Sequence, residues 1–256
     1  MILSLDVGNS HLSGGIFNNN NLLLQFRYDT KQIGTSDQFG IFLRSAFREN
    51  NLDYTQITRI GVASVVPSAD YTIRAACIKY LKQTPIFLRP GVKTGIIIKT
   101  NNPNEVGADL IAGAIAAKQL APGKDLLVFD LGTATTCCHI NAAGEFLGAS
   151  IAPGMKLMMN ALHSNTAKLL SVDIAEPVDV IGKNTKTAIQ SGIYYATLGL
   201  IEQLIKAIAT ESKIAAQQMV IIGTGGLSYL YTKCNIFDQI VPELVLIGIK
   251  EMLVLN

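Results

Sequence analysis

The amino-acid sequence predicts an α/β protein of two similar lobes, each a mixed sheet that opens with an antiparallel β-meander and is flanked by helices. Three observations predict this fold. Short apolar runs separated by turn residues open both halves of the chain, an Asp-x-Gly turn ends the first run of each half, and helical and strand patterns then alternate. The repeat predicts one lobe over residues 1–120 and a second over residues 121–256.

The first lobe is predicted to open with three strands joined by short turns rich in Gly and Asn, at residues 2–7, 12–17 and 22–28. Ser36 can then cap a helix, Pro67 stops a buried strand, and Pro103 marks another helix start. The elements predicted after the meander are a helix at 36–49, a strand at 59–66, a helix at 68–82, a strand at 85–88 and a helix at 104–120.

The second lobe is predicted to begin after the turn Ala121-Pro122-Gly123-Lys124. Its meander is expected at residues 125–131, 135–140 and 144–151. Helices at 155–163 and 185–210, a strand at 219–222, a glycine turn into a further helix and a last helix at 245–255 are expected to follow.

Composition and charge argue against a membrane or nucleic-acid partner. The longest uncharged stretch, residues 214–232, is interrupted by Gln217, Gln218 and three glycines, so it makes a poor membrane span. The net charge is +2, from 21 basic and 19 acidic residues, with no sustained basic stripe for a phosphate backbone. The first residues, MILSLDVGNS, lack the features of a secretory signal, which predicts a cytoplasmic protein.

Other common site chemistries find no support in the sequence. The three histidines have no metal-ligand spacing, which argues against a structural zinc. Ser64 and Ser150 lack the G-x-S-x-G context of a serine hydrolase. The four cysteines show no C-x-x-C spacing and are expected to be reduced core thiols: Cys77, Cys137, Cys138 and Cys234.

Two strand-to-turn motifs place an aspartate beside glycine amides. Asp6-x-Gly8-Asn9 and Asp130-x-Gly132-Thr133 lie about half a chain length apart, each at the end of an apolar run. Glycine lets the backbone approach an oxygen closely, so phosphate and metal are natural ligands. A single copy can simply cap a hairpin, but two copies at matching positions favour the functional interpretation, with the two turns facing one another across a cleft.

Asp109 is the candidate general base. It lies in the first turns of a helix otherwise rich in Ala, Ile and Gly, where an acid can simply favour the helix dipole. The functional alternative is a proton acceptor for an alcohol that attacks a phosphoryl group.

The segment 221–226, Ile-Ile-Gly-Thr-Gly-Gly, predicts a strand followed by a glycine turn that could lie against a nucleobase. It matches neither the P-loop nor the full dinucleotide-binding pattern.

Together these motifs resemble the type III pantothenate kinases. The resemblance spans nearly the whole chain and is carried by eight segments in order: DVGNSH, GVASVVP, NPNEVGAD, DLGTATT, GEFLGASIAPG, NTAKL, GKNTKTAIQSG and IIGTGG. It implies two ribonuclease-H-like lobes of the actin-like ATPase type. It also implies ATP-dependent phosphorylation of pantothenate, the first step of coenzyme A synthesis, by a homodimer.

The resemblance also implies a set of site residues. Asp109 would be the catalytic base, and Asp6 would help to place Mg²⁺ through the phosphates. Asp130 would hold a monovalent cation, K⁺ or NH₄⁺. The residues implied to contact ATP are Asp6, Val7, Gly8, Asn9, Ser10, His11, Leu12, Ser13, Thr133, Gly223 and Gly225. Those implied to contact pantothenate are Gly107, Ala108, Asp109, Leu110 and, from the neighbouring subunit, Thr185.

Two positions depart from the family pattern. Leu110 stands where the family usually has an arginine that could pair with an acidic ligand, and Cys138 stands where it often has an aspartate. These departures keep two alternatives open. One is an enzyme of the same fold with another substrate, such as a kinase for another small alcohol or a phosphatase. The other is a non-catalytic accessory regulator that binds nucleotide.

Overall fold

The structure is a computed structural model that describes residues 1–166 and 169–256. It forms two compact units, one of Met1–Leu120 together with Leu244–Asn256 and one of Ala121–Glu243. The sequence division also fell between residues 120 and 121, but it assigned the C-terminal segment to the second lobe. The motif NTAKL includes residues 167 and 168, which lie outside the described residues.

The first unit is built on a five-stranded sheet in the order β3-β2-β1-β4-β5. Strand β1 pairs antiparallel with β2 and parallel with β4, so the meander is extended by parallel strands. Its strands are β1 (Ile2–Val7), β2 (His11–Asn18), β3 (Asn21–Asp29), β4 (Arg59–Ser64) and β5 (Ile86–Phe87), with a short β6 (Ile97–Ile98) further along the chain.

Three helices of the first unit follow the strands: α1 (Ser36–Glu49), α2 (Pro67–Ala76) and α3 (Ala108–Leu120). The N-cap of helix α1 is Thr35 and not Ser36, and Thr35 forms a capping box with Gln38. Helix α2 continues as a π-helix over Cys77–Leu81. Apolar side chains from β1, β2, β4, α1 and α2 form one core cluster.

The second unit repeats this topology. Its strands are β7 (Asp125–Leu131), β8 (Ala134–Ile140), β9 (Glu145–Pro153), β10 (Met219–Thr224) and β11 (Gln239–Ile240). Their order is β11-β10-β7-β8-β9, with β7–β8 and β8–β9 antiparallel and β10 parallel to both β7 and β11. Three antiparallel strands followed by two parallel ones therefore occur in both units, which confirms the predicted duplication.

The helices of the second unit are α4 (Met155–Ser164) and α5 (Thr185–Ser212), and α5 begins with a capping box between Asn184 and Thr187. The glycine turn after β10 leads into a 3₁₀-helix, Ser228–Cys234, where the sequence predicted a helix of unspecified length. The two-residue strands β6 and β11 were not predicted, because such short segments carry no periodicity.

The last helix, α6 (Leu244–Leu255), packs on the first unit. Its buried residues, among them Leu246, Ile249 and Leu253, lie against β1, β4 and α3. The sequence division placed this helix in the second lobe, whereas its contacts group it with the first unit, since a helix that is apolar all round carries no sequence signal for the surface it covers.

Candidate active site

The turn between β1 and β2 carries the first Asp-x-Gly motif. Asp6 lies opposite Ser13 in the β1–β2 register. Gly8 donates its N–H to the His11 carbonyl at 3.1 Å, and a Cβ on Gly8 would lie 3.2 Å from the same oxygen. The glycine therefore allows a narrow turn, as the motif predicted.

Thr30, the first residue after β3, holds this turn. Its Oγ1 donates to the Gly8 carbonyl at 2.7 Å, and its backbone N–H donates to the Ser10 carbonyl at 3.2 Å. Sequence reasoning missed Thr30, because the contact exists only once β3 pairs with β2. Two of the eight residues predicted to contact ATP here, Val7 and Leu12, are fully buried in the core, so their side chains face away from any ligand.

Asp109 lies in the first turn of α3, beside the loop at Gly107. Its Oδ1 accepts the backbone N–H of Leu110 at 2.8 Å. Burial raises the pKa of Asp109 above its ordinary value, partly opposed by hydrogen bonds from backbone N–H groups of its own helix turn. A base with a raised pKa holds an abstracted proton more readily, so the position suits general-base chemistry.

Val65 connects the Asp109 loop to the Asp6 turn. Its N–H donates to the Val7 carbonyl at 3.0 Å, and its Cγ1 lies 3.6 Å from where a Cβ on Gly107 would be. The structure therefore brings the Asp6 turn and the candidate base to the same edge of the first unit's sheet.

In the second unit, two glycines flank the carboxylate of Asp130. Thr224 lies opposite Asp130 in the β10–β7 register, and Gly225 follows with φ of +86°. A Cβ on Gly225 would overlap Asp130 Oδ1, and a Cβ on Gly132 would lie 3.2 Å from the same oxygen. Space around this carboxylate therefore depends on glycine at both positions.

Thr136 lies opposite Asp130 in the β7–β8 register. Its hydroxyl is buried and has no hydrogen-bond partner among the described residues. A buried hydroxyl beside a carboxylate supplies a second hard oxygen of the kind that small cations prefer. Cys138 lies two residues further along β8 on the same face and is buried. It places a thiol where the family pattern often has the carboxylate of an aspartate.

The turn around Thr133 is supported by a residue that sequence reasoning did not assign. Gly132 donates to the Ala134 carbonyl at 3.1 Å, and Gly154 donates to the Thr133 carbonyl at 3.2 Å. A Cβ on Gly154 would overlap the carbonyl oxygens of Gly132 and Thr133. The signal was present as the last glycine of the GEFLGASIAPG segment. Thr133 itself is exposed.

The remaining predicted site residues differ in how accessible they are. Gly223 is buried, and a Cβ there would lie 2.7 Å from the Phe237 ring, so close packing explains this glycine. Thr185 is exposed at the first position of α5, and Leu110 is half-buried beside Asp109.

Within residues 1–166 and 169–256, no group of three or more His, Cys, Asp or Glu side chains is arranged to hold a metal. None of the helices in that part of the chain is both long and apolar enough to cross a membrane.

Comparison with solved structures identifies the fold. A Campylobacter jejuni protein described as a Baf family transcriptional activator matches with a TM-score of 0.58 at 18% identity, covering 98% of this chain and 96% of that one. A Sinorhizobium meliloti protein described as a 2-dehydro-3-deoxygalactonokinase matches with a TM-score of 0.58 at 12% identity, covering 99% and 96%. These likenesses and the duplicated meander define a two-lobed α/β fold of the kind found in sugar kinases.

Sequence comparison identifies the family. The model of the type III pantothenate kinase family matches residues 2–207. A type III pantothenate kinase from Legionella pneumophila (strain Paris) is 47% identical over 100% of this chain and 99% of its own length. Another, from Elusimicrobium minutum, is 41% identical over 100% of this chain and 99% of its own length. The chain belongs to the type III pantothenate kinase family, as the sequence motifs predicted.

Proposed function

We propose that this chain transfers the γ-phosphoryl group of ATP to the primary hydroxyl of pantothenate, forming 4′-phosphopantothenate for coenzyme A synthesis. The observation that carries the proposal is the half-buried Asp109 carboxylate, whose pKa is raised by partial burial, beside the turn at Asp6 in a chain of this family. Full-length relatives named type III pantothenate kinase support the acceptor.

Asp109 acts as the proton acceptor in the proposed reaction. The pantothenate hydroxyl oxygen bonds to the γ-phosphorus, the bond from that phosphorus to the ADP oxygen breaks, and the hydroxyl proton passes to Asp109. Gly107, Ala108 and Leu110 line the acceptor side. No covalent enzyme intermediate is required, because this chemistry depends mainly on positioning and charge neutralisation.

The ATP phosphates are proposed to bind the turn of residues 6–13 and Thr133, with Gly223 and Gly225 towards the adenosine. Asp6 would help to hold Mg²⁺ through the phosphates. When bound, Mg²⁺ and a monovalent cation would supply positive charge for the phosphoryl oxygens.

The residues around Asp130 fit a monovalent cation such as K⁺ or NH₄⁺. The two flanking glycines leave space around the carboxylate, and the unpartnered Thr136 hydroxyl adds an oxygen. A K⁺ ion at this position would place a positive charge next to the Asp130 carboxylate.

The proposal extends to a cytoplasmic homodimer. Thr185, exposed at the start of α5, contacts pantothenate bound to the neighbouring subunit in this arrangement.

The test is coupled ADP release with ATP, Mg²⁺ and K⁺, with and without pantothenate, comparing the wild type with Asp109→Asn. Pantothenate-dependent release that the substitution abolishes supports the proposal. Release with other small alcohols but not with pantothenate would favour a different acceptor. No release in either K⁺ or NH₄⁺ would favour the accessory regulator.

A further inference from the structure

Helix α6 meets helix α3 at a glycine. A Cβ built on Gly248 would overlap the backbone carbonyl oxygen of Ala112 and would lie 3.1 Å from the Ala112 Cα. Backbone atoms cannot rotate aside as a flexible side chain can, so any residue larger than glycine must push the two helices apart. Ala112 lies one helical turn after Asp109.

The sheet restricts α6 on its other side. A Cβ on Gly61 of β4 would lie 2.6 Å from Ile249 Cγ2, and one on Gly15 of β2 would lie 3.1 Å from Leu246 Cδ1. Helix α6 therefore already lies close to the sheet, and little space exists for it to retreat. A displacement caused at Gly248 is consequently passed to α3.

A buried polar contact also fixes α6 along its axis. Lys250 is only 5% exposed, and its Nζ donates to Asn20 Oδ1 at 2.8 Å and pairs with Glu251 Oε1 at 2.7 Å. Asn20 lies in the turn between β2 and β3. A buried ammonium that loses such partners is costly, so this contact resists sliding of the helix.

Asp109, by contrast, is held by hydrogen bonds from its own helix. The hydrogen bonds to its carboxylate come from backbone N–H groups of the first turn of α3, Leu110 N–H among them. Among the described residues, no side chain from another element donates to it. Its carboxylate therefore moves wherever α3 moves.

We propose that Gly248 is a positioning residue for Asp109: by allowing α6 to approach Ala112, it sets the position of α3 and so of the carboxylate. This inference rests on the proposed function, in which Asp109 is the base. It assigns a role in catalysis to the last helix of the chain, more than a hundred residues from the base in sequence.

The test compares Gly248→Ala with Gly113→Ala. Gly113 lies on α3 itself, next to Ala112, and a Cβ there would meet no atom within 4 Å. We expect Gly248→Ala to lower kcat by about ten- to a hundredfold, because displacement of a catalytic group by about 1 Å can cost a hundredfold. The KM for ATP should stay within about twofold, and Gly113→Ala should keep both constants within about twofold of the wild type.

A pH profile separates displacement of the base from general loosening. Because burial raises the pKa of Asp109, a shifted α3 that admits water should move the acidic limb of the kcat profile to lower pH. Loss of stability alone leaves that limb unchanged. Melting curves and circular dichroism at the assay temperature establish that each variant is folded.

Gly61→Ala provides a second variant in case Gly248→Ala does not fold. It presses on α6 through the Ile249 side chain, which can partly yield, so a smaller fall in kcat with the same shift of the acidic limb is expected. Kinetics of folded Gly248→Ala that match those of Gly113→Ala would overturn the inference, as would an unshifted acidic limb. If Asp109→Asn keeps wild-type turnover, the base assignment itself fails, and the inference fails with it.

Discussion

Gly225 lies against the carboxylate of Asp130 so closely that a single added methyl group would overlap Oδ1. The same glycine has φ of +86°, a conformation that residues with a side chain rarely adopt. One position in the second unit thus combines a steric requirement with a backbone requirement, and both depend on glycine.

Gly225→Ala should therefore be destabilised and weak in ATP binding. Backbone strain at this φ, with displacement of Asp130, is expected to cost about 1–3 kcal/mol of unfolding free energy. The KM for ATP should rise at least about tenfold. Chemical denaturation and ADP-release kinetics measure the two effects.

The matched control is Gly192→Ala, since a Cβ on Gly192 meets no atom within 4 Å. Equal stability and equal KM for the two alanine variants would contradict the assigned role of Gly225.

Asp109→Asn should lower kcat by about two to four orders of magnitude, as expected on loss of a general base. In the wild type, kcat should fall as the pH drops through the raised pKa of Asp109, because the protonated carboxyl cannot accept the substrate proton. The midpoint of the acidic limb of the kcat profile should lie at a pH above the ordinary carboxyl pKa. Measurements of ADP release over a series of pH values locate this midpoint. Asp179→Asn, whose side chain is 63% exposed, is the control and should behave as wild type.

The same substitution should not destabilise the protein at neutral pH. Because the folded-state pKa of Asp109 is raised, the folded protein holds this proton more tightly than the unfolded chain does. Stability is therefore lost as the pH rises from the unfolded pKa through the folded pKa.

Asparagine carries no charge to bury, so Asp109→Asn should unfold at equal or higher denaturant concentration than the wild type at pH 7. The difference should shrink as the pH falls towards 4, near the ordinary carboxyl pKa. A variant clearly less stable at pH 7 would show that the carboxylate has a stabilising partner.

Leu110→Arg should improve use of an acidic acceptor. Leu110 is half-buried next to Asp109, and a guanidinium there can donate two parallel hydrogen bonds to a carboxylate. We expect the KM for pantothenate to fall about tenfold, with kcat within about threefold of the wild-type value. Leu110→Met is the size-matched neutral control, and the same change in both variants would exclude charge as the cause.

Asp130→Asn should weaken activation by K⁺. The K⁺ concentration for half-maximal ADP release should rise at least about tenfold, because the site loses its charged oxygen. Choline chloride keeps the ionic strength constant in this titration. An unchanged K⁺ requirement would place the cation elsewhere.

The local signals of this chain were strong enough to predict most elements. The meanders were predicted because Gly, Asn and Pro end short apolar runs at fixed points, and α3 because it is a long run of helix formers. The predicted start of α3 at residue 104 was too early, because Pro103 begins a separate 3₁₀ turn, Pro103–Glu105, and α3 begins at Ala108. The helix predicted at 68–82 is instead α2 followed by a π-helix, a change of hydrogen bonding that periodicity cannot reveal.

By itself, the sequence determined the duplicated α/β fold, the family and the candidate acids Asp6, Asp109 and Asp130, since each depends on residues close together in the chain. Only the tertiary structure decided that Thr30 closes the first turn, that Thr136 stands opposite Asp130, and that α6 returns to the first unit with Gly248 against Ala112. Each of these relationships joins segments that are distant in the chain. They arise from strand pairing and close packing, which no local sequence pattern encodes.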